Sequence, residues 1–343
     1  MNGLSSGRHF ASDNASGVHP RILEAMAAAN EGHAMAYGAD PWSSRAREAF
    51  CREFGDDIEV LWCFGGTGAN VMALASVLRF HDSIVCSDVA HILDSETGAP
   101  ERVLGAKLTG APSRYGKIDA DALAPLLADP GHSHATRPRV LSLTQATEWG
   151  TVYSTDELTR LTELAHEHGV LVHLDGARIA NAAAALKIGF RAATRDLGVD
   201  IVSFGGTKNG LMMAESVVFF DPSVAPAASA VLKQVTQLPS KARFIAAQYE
   251  AYFAGELWRQ CAEHANERAQ QLARGLLEID GFSLAAPADV NMVFLRADPE
   301  CLARLQQRCA FHFWSHDVAR LVCSFDHTRE DIEEFLSCAR LSL

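Results

Sequence analysis

Between about Glu59 and Phe220 the chain repeats one pattern: a short, nearly continuous apolar run, then an amphipathic stretch of helical period. The apolar runs are residues 60–64, 83–87, 103–108, 139–143, 170–174, 201–204 and 216–220. Helical stretches at 69–78 and 156–168 lie between them. The second opens with the capping box Ser154-Thr155-Asp156-Glu157 and stops at Gly169. Strands that are apolar throughout must be covered on both faces, and a helix between consecutive strands lets them run parallel. The pattern therefore predicts an α/β fold built on a mostly parallel sheet.

After about Pro222 the pattern changes. Residues 241–279 read as one long helix; strand 291–295, helix 299–309, strands 311–314 and 320–325, and a last helix capped at Thr328 follow. The expected organisation is an N-terminal arm (1–14), a large domain (15–240) and a small C-terminal α+β domain (241–343).

Open α/β sheets bind ligands outside the carboxyl ends of their strands. Two such ends carry reactive groups here. Run 170–174 leads into Asp175-Gly176-Ala177-Arg178, and run 201–204 into Gly205-Gly206-Thr207-Lys208-Asn209-Gly210. A lysine that forms a Schiff base, with a carboxylate that keeps a pyridine nitrogen protonated, is what pyridoxal phosphate requires. Of the six lysines, Lys208 alone has this glycine-lined setting.

Phe64-Gly65-Gly66-Thr67-Gly68-Ala69-Asn70 lies between a strand and a helix, where backbone N–H groups and the helix start favour a phosphate. Beside the Asp–Lys pair it reads as a cofactor phosphate cup. His91 lies just past run 83–87, where an imidazole stacks on a ring or moves a proton; His173, inside an apolar run, reads as a core residue. Arg178 suits a substrate carboxylate or a helix-start ion pair. Nothing local marks Ser12 or Arg320.

Composition narrows the function. A net charge of −12 without a basic cluster argues against nucleic-acid binding, and no apolar run is long enough to span a membrane. Met1–Arg8 has no apolar signal core, and the eight cysteines form no CxxC pair. These features lead us to expect a cytoplasmic enzyme with reduced cysteines, and no metal-ligand cluster is apparent.

Taken together, the motifs resemble the low-specificity L-threonine aldolases of the fold-type-I pyridoxal-phosphate superfamily over nearly the whole chain. The matching segments are Ser12-Asp13-Asn14, Gly65 to Asn70, His91, His173-Leu174-Asp175-Gly176-Ala177-Arg178 and Lys208. The resemblance implies a seven-stranded large domain, with Gly66, Thr67 and Gly68 on the phosphate and Asp175 on the ring nitrogen. It also implies His91 stacked on the ring and Lys208 as the Schiff-base lysine. Ser12, Arg178 and Arg320 would grip the amino-acid carboxylate, and Arg243 would reach a neighbouring subunit's phosphate in a homotetramer. The implied reaction is retro-aldol cleavage of an L-3-hydroxy-α-amino acid to glycine and an aldehyde. The alternative is a fold-type-I lyase catalysing β-elimination. One segment departs from the family: Thr144-Gln145-Ala146-Thr147-Glu148-Trp149-Gly150 puts Thr147 where many relatives carry a substrate-handling histidine. That segment and the lysine loop look like the branch that includes phenylserine aldolase.

Overall fold

The computed structural model describes residues 9–343; Met1 to Arg8, the segment read as lacking a signal core and the first part of the expected arm, lies outside them. Seven strands form the central sheet: β1 (Glu59–Cys63), β2 (Asp82–Ser87), β3 (Lys107–Ala111), β4 (Arg137–Thr144), β5 (Leu171–Gly176), β6 (Ile201–Gly205) and β7 (Glu215–Phe219). Their spatial order is β1-β7-β6-β5-β4-β2-β3. β7 runs antiparallel to both its neighbours, and every other pair except β1–β7 and β6–β7 is parallel. This is the mostly parallel α/β sheet that the apolar runs predict. β2, β6 and β7 are buried at every position, as strands covered on both faces must be.

The two covers differ in kind. On one face Ala69, Met72, Ala73 and Leu74 of helix Gly66–Ala75 pack on Ile84, Ile201 and Val217. On the other, Phe50, Phe54, Phe190, Phe204, Tyr249 and Trp258 form a buried aromatic block. The predicted capping box is present: Ser154 and Glu157 satisfy each other's backbone N–H groups at the start of helix Thr155–Glu167.

Two expected elements are corrected. Residues 103–108 are not one strand: helix Ala99–Leu104 ends at Gly105 in the left-handed conformation, and β3 begins at Lys107. A short apolar run does not distinguish strand from helix, and Val103 is exposed. The long helix 241–279 is two, Arg243–Phe253 and Leu257–Leu277, because Gly255 and Glu256 take positive φ between them.

The smaller sheet has order β8-β9-β11-β10, from β8 (Ser283–Leu284), β9 (Met292–Arg296), β10 (His312–Ser315) and β11 (Val318–Val322). Helices Pro299–Gln306 and Arg329–Arg340 cover it, together with residues 269–279. Residues 242–262 pack instead with the large aromatic core, so the cores divide within helix Leu257–Leu277. The chain after His9 is tied to the small sheet: Phe10 N–H donates to the Ala310 carbonyl, and its own carbonyl accepts from Val322. That attachment carries Asp13 to the junction of the two sheets. Among the described residues no helix is long and apolar enough to cross a membrane.

Candidate active site

β5 and β6 are hydrogen-bonded neighbours, so their carboxyl ends deliver Asp175 and the Lys208 turn to one place. The approach is close. A Cβ on Gly205 would come within 2.7 Å of the Ala177 backbone, so only glycine lets the two strand ends meet. Asp175 is buried, its Oδ1 accepting from Ala177 N–H (3.0 Å) and its Oδ2 from Asn70 Nδ2 (2.9 Å).

Asn70 links that carboxylate to a second one. Its Nδ2 also donates to Glu96 Oε1 (3.0 Å), which lies 2.8 Å from His91 Nδ1. An oxygen accepting from Asn70 is a carboxylate oxygen, so His91 Nδ1 carries the hydrogen and Nε2 is left for a ligand. The bond to Glu96 raises the His91 pKa, against the effect of burial. Glu148 sits behind the histidine, accepting from His91 N–H (2.9 Å) and Thr144 Oγ1 (2.8 Å). Burial pushes its pKa up to about 7.

Lys208 is half-buried. Burial and the Arg178 charge lower its pKa, against Asp13, Asp175 and Glu215. A buried lysine with a lowered pKa has more of the neutral, nucleophilic amine at neutral pH. Glu215, on β7 opposite Gly205, is raised to about 7 by burial despite Thr207 and Lys208.

A cationic patch lies at the junction of the two sheets. Asp13 is fully buried and takes Arg178 bidentately (2.7 and 2.9 Å), with Asn291 Nδ2 at 3.1 Å. Burial alone would raise the Asp13 pKa; Arg178, Lys208 and the hydrogen bonds hold it below the usual carboxylate range. Among the described residues, the side chain of Arg320, on β11, has one hydrogen bond, to the Ala11 carbonyl (3.5 Å). Two guanidinium groups around one carboxylate leave one positive charge, which suits an anionic ligand. Ser12 caps the short turn Asp13–Ala15 beside them.

The glycine loop opens helix Gly66–Ala75 without a side-chain cap, so its first N–H groups are available to an anion. A Cβ on Gly65 or Gly66 would meet nothing within 4 Å, which leaves room outside the loop. Among the described residues, Asn70 Oδ1, Glu96 Oε2, Glu148 Oε2 and Arg320 Nε are buried without a hydrogen-bond partner. Buried polar atoms are rarely left unpaired, so their clustering here marks a site shaped for a polar ligand. A phosphate, a ring nitrogen and an aldehyde all find matching groups among the loop N–H groups, Asp175 and Lys208.

Two further expected residues have these surroundings. The buried Thr147 hydroxyl is engaged by the Tyr115 carbonyl (3.0 Å) and by Thr151 of its own loop (2.8 Å); its neighbour Glu148 reaches the His91 backbone instead. Arg243 begins helix Arg243–Phe253, bonded to the Gly32 carbonyl (3.2 Å) and lying over Trp42. His173 is a core residue as read, buried between Ser142 and Ser203 (2.9 Å each). Sequence reasoning did not single out Glu96, Glu148, Glu215 or Asn291; the signal within reach was Asn70, already part of the glycine loop. Among the described residues no group of His, Cys, Asp or Glu is placed to hold a metal.

The family model described as beta-eliminating lyase matches residues 9–299. A protein of Pseudomonas aeruginosa named low specificity L-threonine aldolase is 39% identical over 337 residues, covering 97% of each chain. One of the same name from a Pseudomonas species is 38% identical over 336 residues, again covering 97% of each. Among solved structures, the Leishmania major threonine aldolase superposes with a TM-score of 0.90 at 27% identity, over 98% of this chain and 99% of that one.

Proposed function

Because this chain belongs to the beta-eliminating lyase family and to its low-specificity L-threonine aldolases, we propose that it cleaves L-3-hydroxy-α-amino acids to glycine and an aldehyde. The observation that carries the reading is the meeting of Asp175 and Lys208 at neighbouring strand ends, beside the patch of Arg178 and Arg320. Pyridoxal phosphate, once bound, supplies an electron sink for the pair of electrons left on Cα when the Cα–Cβ bond breaks.

The chain's own residues do the rest. Gly66, Thr67 and Gly68 would hold the phosphate, and Asp175 would keep the ring nitrogen protonated. Lys208 would supply the amine that anchors the cofactor aldehyde. Arg178, Arg320 and Ser12 take the substrate carboxylate, which fixes the rotation about Cα and so selects the bond to be broken. His91 would stack on the ring, and its Nε2, or a water it holds, would accept the β-hydroxyl proton. Glu96 holds a hydrogen on Nδ1, which makes Nε2 the basic nitrogen of the neutral ring, and by raising the His91 pKa makes it the stronger base.

Finer features follow from the same site. Trp149, next to Glu148, packs on Phe294 and Trp314 (4.8 and 5.0 Å between ring centres), and Phe294 is paired across the sheet with Arg320. This apolar wall beside the carboxylate grip supports an aryl substituent on the substrate, as in phenylserine. Thr147 then serves by bracing the loop that carries Glu148 and Trp149. Arg243 reaches the phosphate of a neighbouring subunit in a homotetramer, a state that light scattering reads directly. The unpaired cysteines, five of them buried, support a cytoplasmic home.

The test is aldehyde release from cofactor-loaded protein given L-threonine and L-threo-phenylserine side by side. The aryl reading expects benzaldehyde to form faster; faster acetaldehyde would return the chain to ordinary threonine cleavage.

A further inference from the structure

Gln237 has no part in the functions described above, yet its side chain lies on the phosphate loop. It comes from a segment about 170 residues further along the chain. A Cβ on Gly68 would fall 2.3–2.6 Å from the atoms of the Gln237 carboxamide, so Gly68 leaves the space this side chain fills. Gln237 Oε1 accepts from Phe64 N–H at 3.1 Å, at the strand end where the loop begins. Among the described residues no partner is recorded for its Nε2, which has two hydrogens to give.

The backbone is built to put it there. Helix Ala228–Gln234 ends in a Schellman arrangement: Gln237 N–H donates to the Leu232 carbonyl (3.0 Å) and Thr236 N–H to the Lys233 carbonyl (3.2 Å). The residue that turns the chain is Thr236, at φ 64°, where glycine is the usual choice. Leu238 and the buried Pro239 anchor the chain on the far side. Gln237 is thus fixed on both sides and set against the open backbone N–H groups at the start of helix Gly66–Ala75.

We propose that Gln237 is a further cofactor-binding residue, its Oε1 bracing the phosphate loop at Phe64 and its Nε2 donating to the cofactor phosphate. Gly68 and Gln237 then form one device: the glycine gives up its side chain so that a carboxamide from elsewhere can close the cup. The inference rests on pyridoxal phosphate being the ligand, and the test separates the two claims.

Cofactor-stripped full-length protein would be titrated with pyridoxal phosphate and, separately, with pyridoxal, which keeps the aldehyde and ring but lacks the phosphate. Binding is read from cofactor absorbance and protein fluorescence. Gln237→Ala should weaken pyridoxal phosphate about tenfold, the size expected for one hydrogen bond to a charged group, and leave pyridoxal unchanged. Gln237→Glu should weaken it further, by setting a carboxylate against the phosphate. Far-ultraviolet circular dichroism and the melting temperature of the stripped variants should match wild type. Unchanged pyridoxal phosphate affinity in either variant would overturn the proposal. So would equal weakening of both ligands, which would place the effect of Gln237 on the site as a whole and not on the phosphate. Failure of wild-type protein to bind either ligand would remove the cofactor assignment itself, and this inference with it.

Discussion

Asp13 shows what one residue does at this site. It is fully buried, yet it pairs with Arg178 through two hydrogen bonds and takes a third from Asn291, so its charge is met from both sheets. Removing one partner of a buried ion pair costs about 3–5 kcal/mol, because the other charge is left uncompensated. Asp13→Asn should therefore lower the melting temperature, and it should raise KM for the amino acid more than it lowers kcat, since Arg178 would lose its orientation. A variant with wild-type KM would show that Arg178 does not grip the substrate. The sequence brings Asp13 into view only as a neighbour of Ser12. Its partner lies 165 positions away, and no local period carries a pairing of that range. The same holds for His91, Glu96 and Asn70: each is visible in the chain, but their shared hydrogen bonds depend on tertiary packing that brings the segments after β1 and β2 together although four strands separate β1 from β2 in the sheet.

At the level of elements, the strand ends were the most legible part. Asp175 and Lys208 follow buried apolar runs, and burial of both sheet faces makes such runs unambiguous when loops bound them closely. The helix after Ser154 was equally plain, since its capping box is a local signal. Residues 103–108 and 241–279 were misread for local reasons too: a six-residue apolar run has no period to separate strand from helix, and Glu256 takes a left-handed conformation that only Gly255 before it hints at. The contact between β5 and β6 yields a prediction of its own. Gly205→Ala would drive a methyl group into the Ala177 backbone and part the two strand ends. Overpacking of this kind costs about 1–3 kcal/mol, so the protein should still fold but bind pyridoxal phosphate poorly. Absorbance titration checks this, and normal binding would mean that the two ends tolerate separation.

For the whole molecule, the buried acids set how stability varies with pH. Glu148 and Glu215 titrate near 4.5 when exposed and at about 7 in the folded protein. Between those values the folded chain holds more protons than the unfolded one, so their contribution is full below pH 4.5 and is lost as pH rises towards 7. His91, raised by Glu96, acts in the same sense above 6.5, whereas Asp13, held low, loses its contribution only in acid. Each unit of displacement is worth about 1.4 kcal/mol. The melting temperature of cofactor-free protein should accordingly fall between pH 4.5 and 7, and Glu148→Gln and Glu215→Gln should each flatten that fall. An unchanged slope in both variants would mean that the acids are ionised throughout.

The central claim is that the bond broken is Cα–Cβ, and the most direct measurement uses L-threonine carrying deuterium at Cα. The account predicts acetaldehyde and glycine in equal amounts, glycine that still carries the label when it is first released, and a rate close to that of unlabelled substrate. Release of 2-oxobutanoate and ammonia, strongly slowed by the deuterium, would contradict it and make the protein a β-eliminating enzyme.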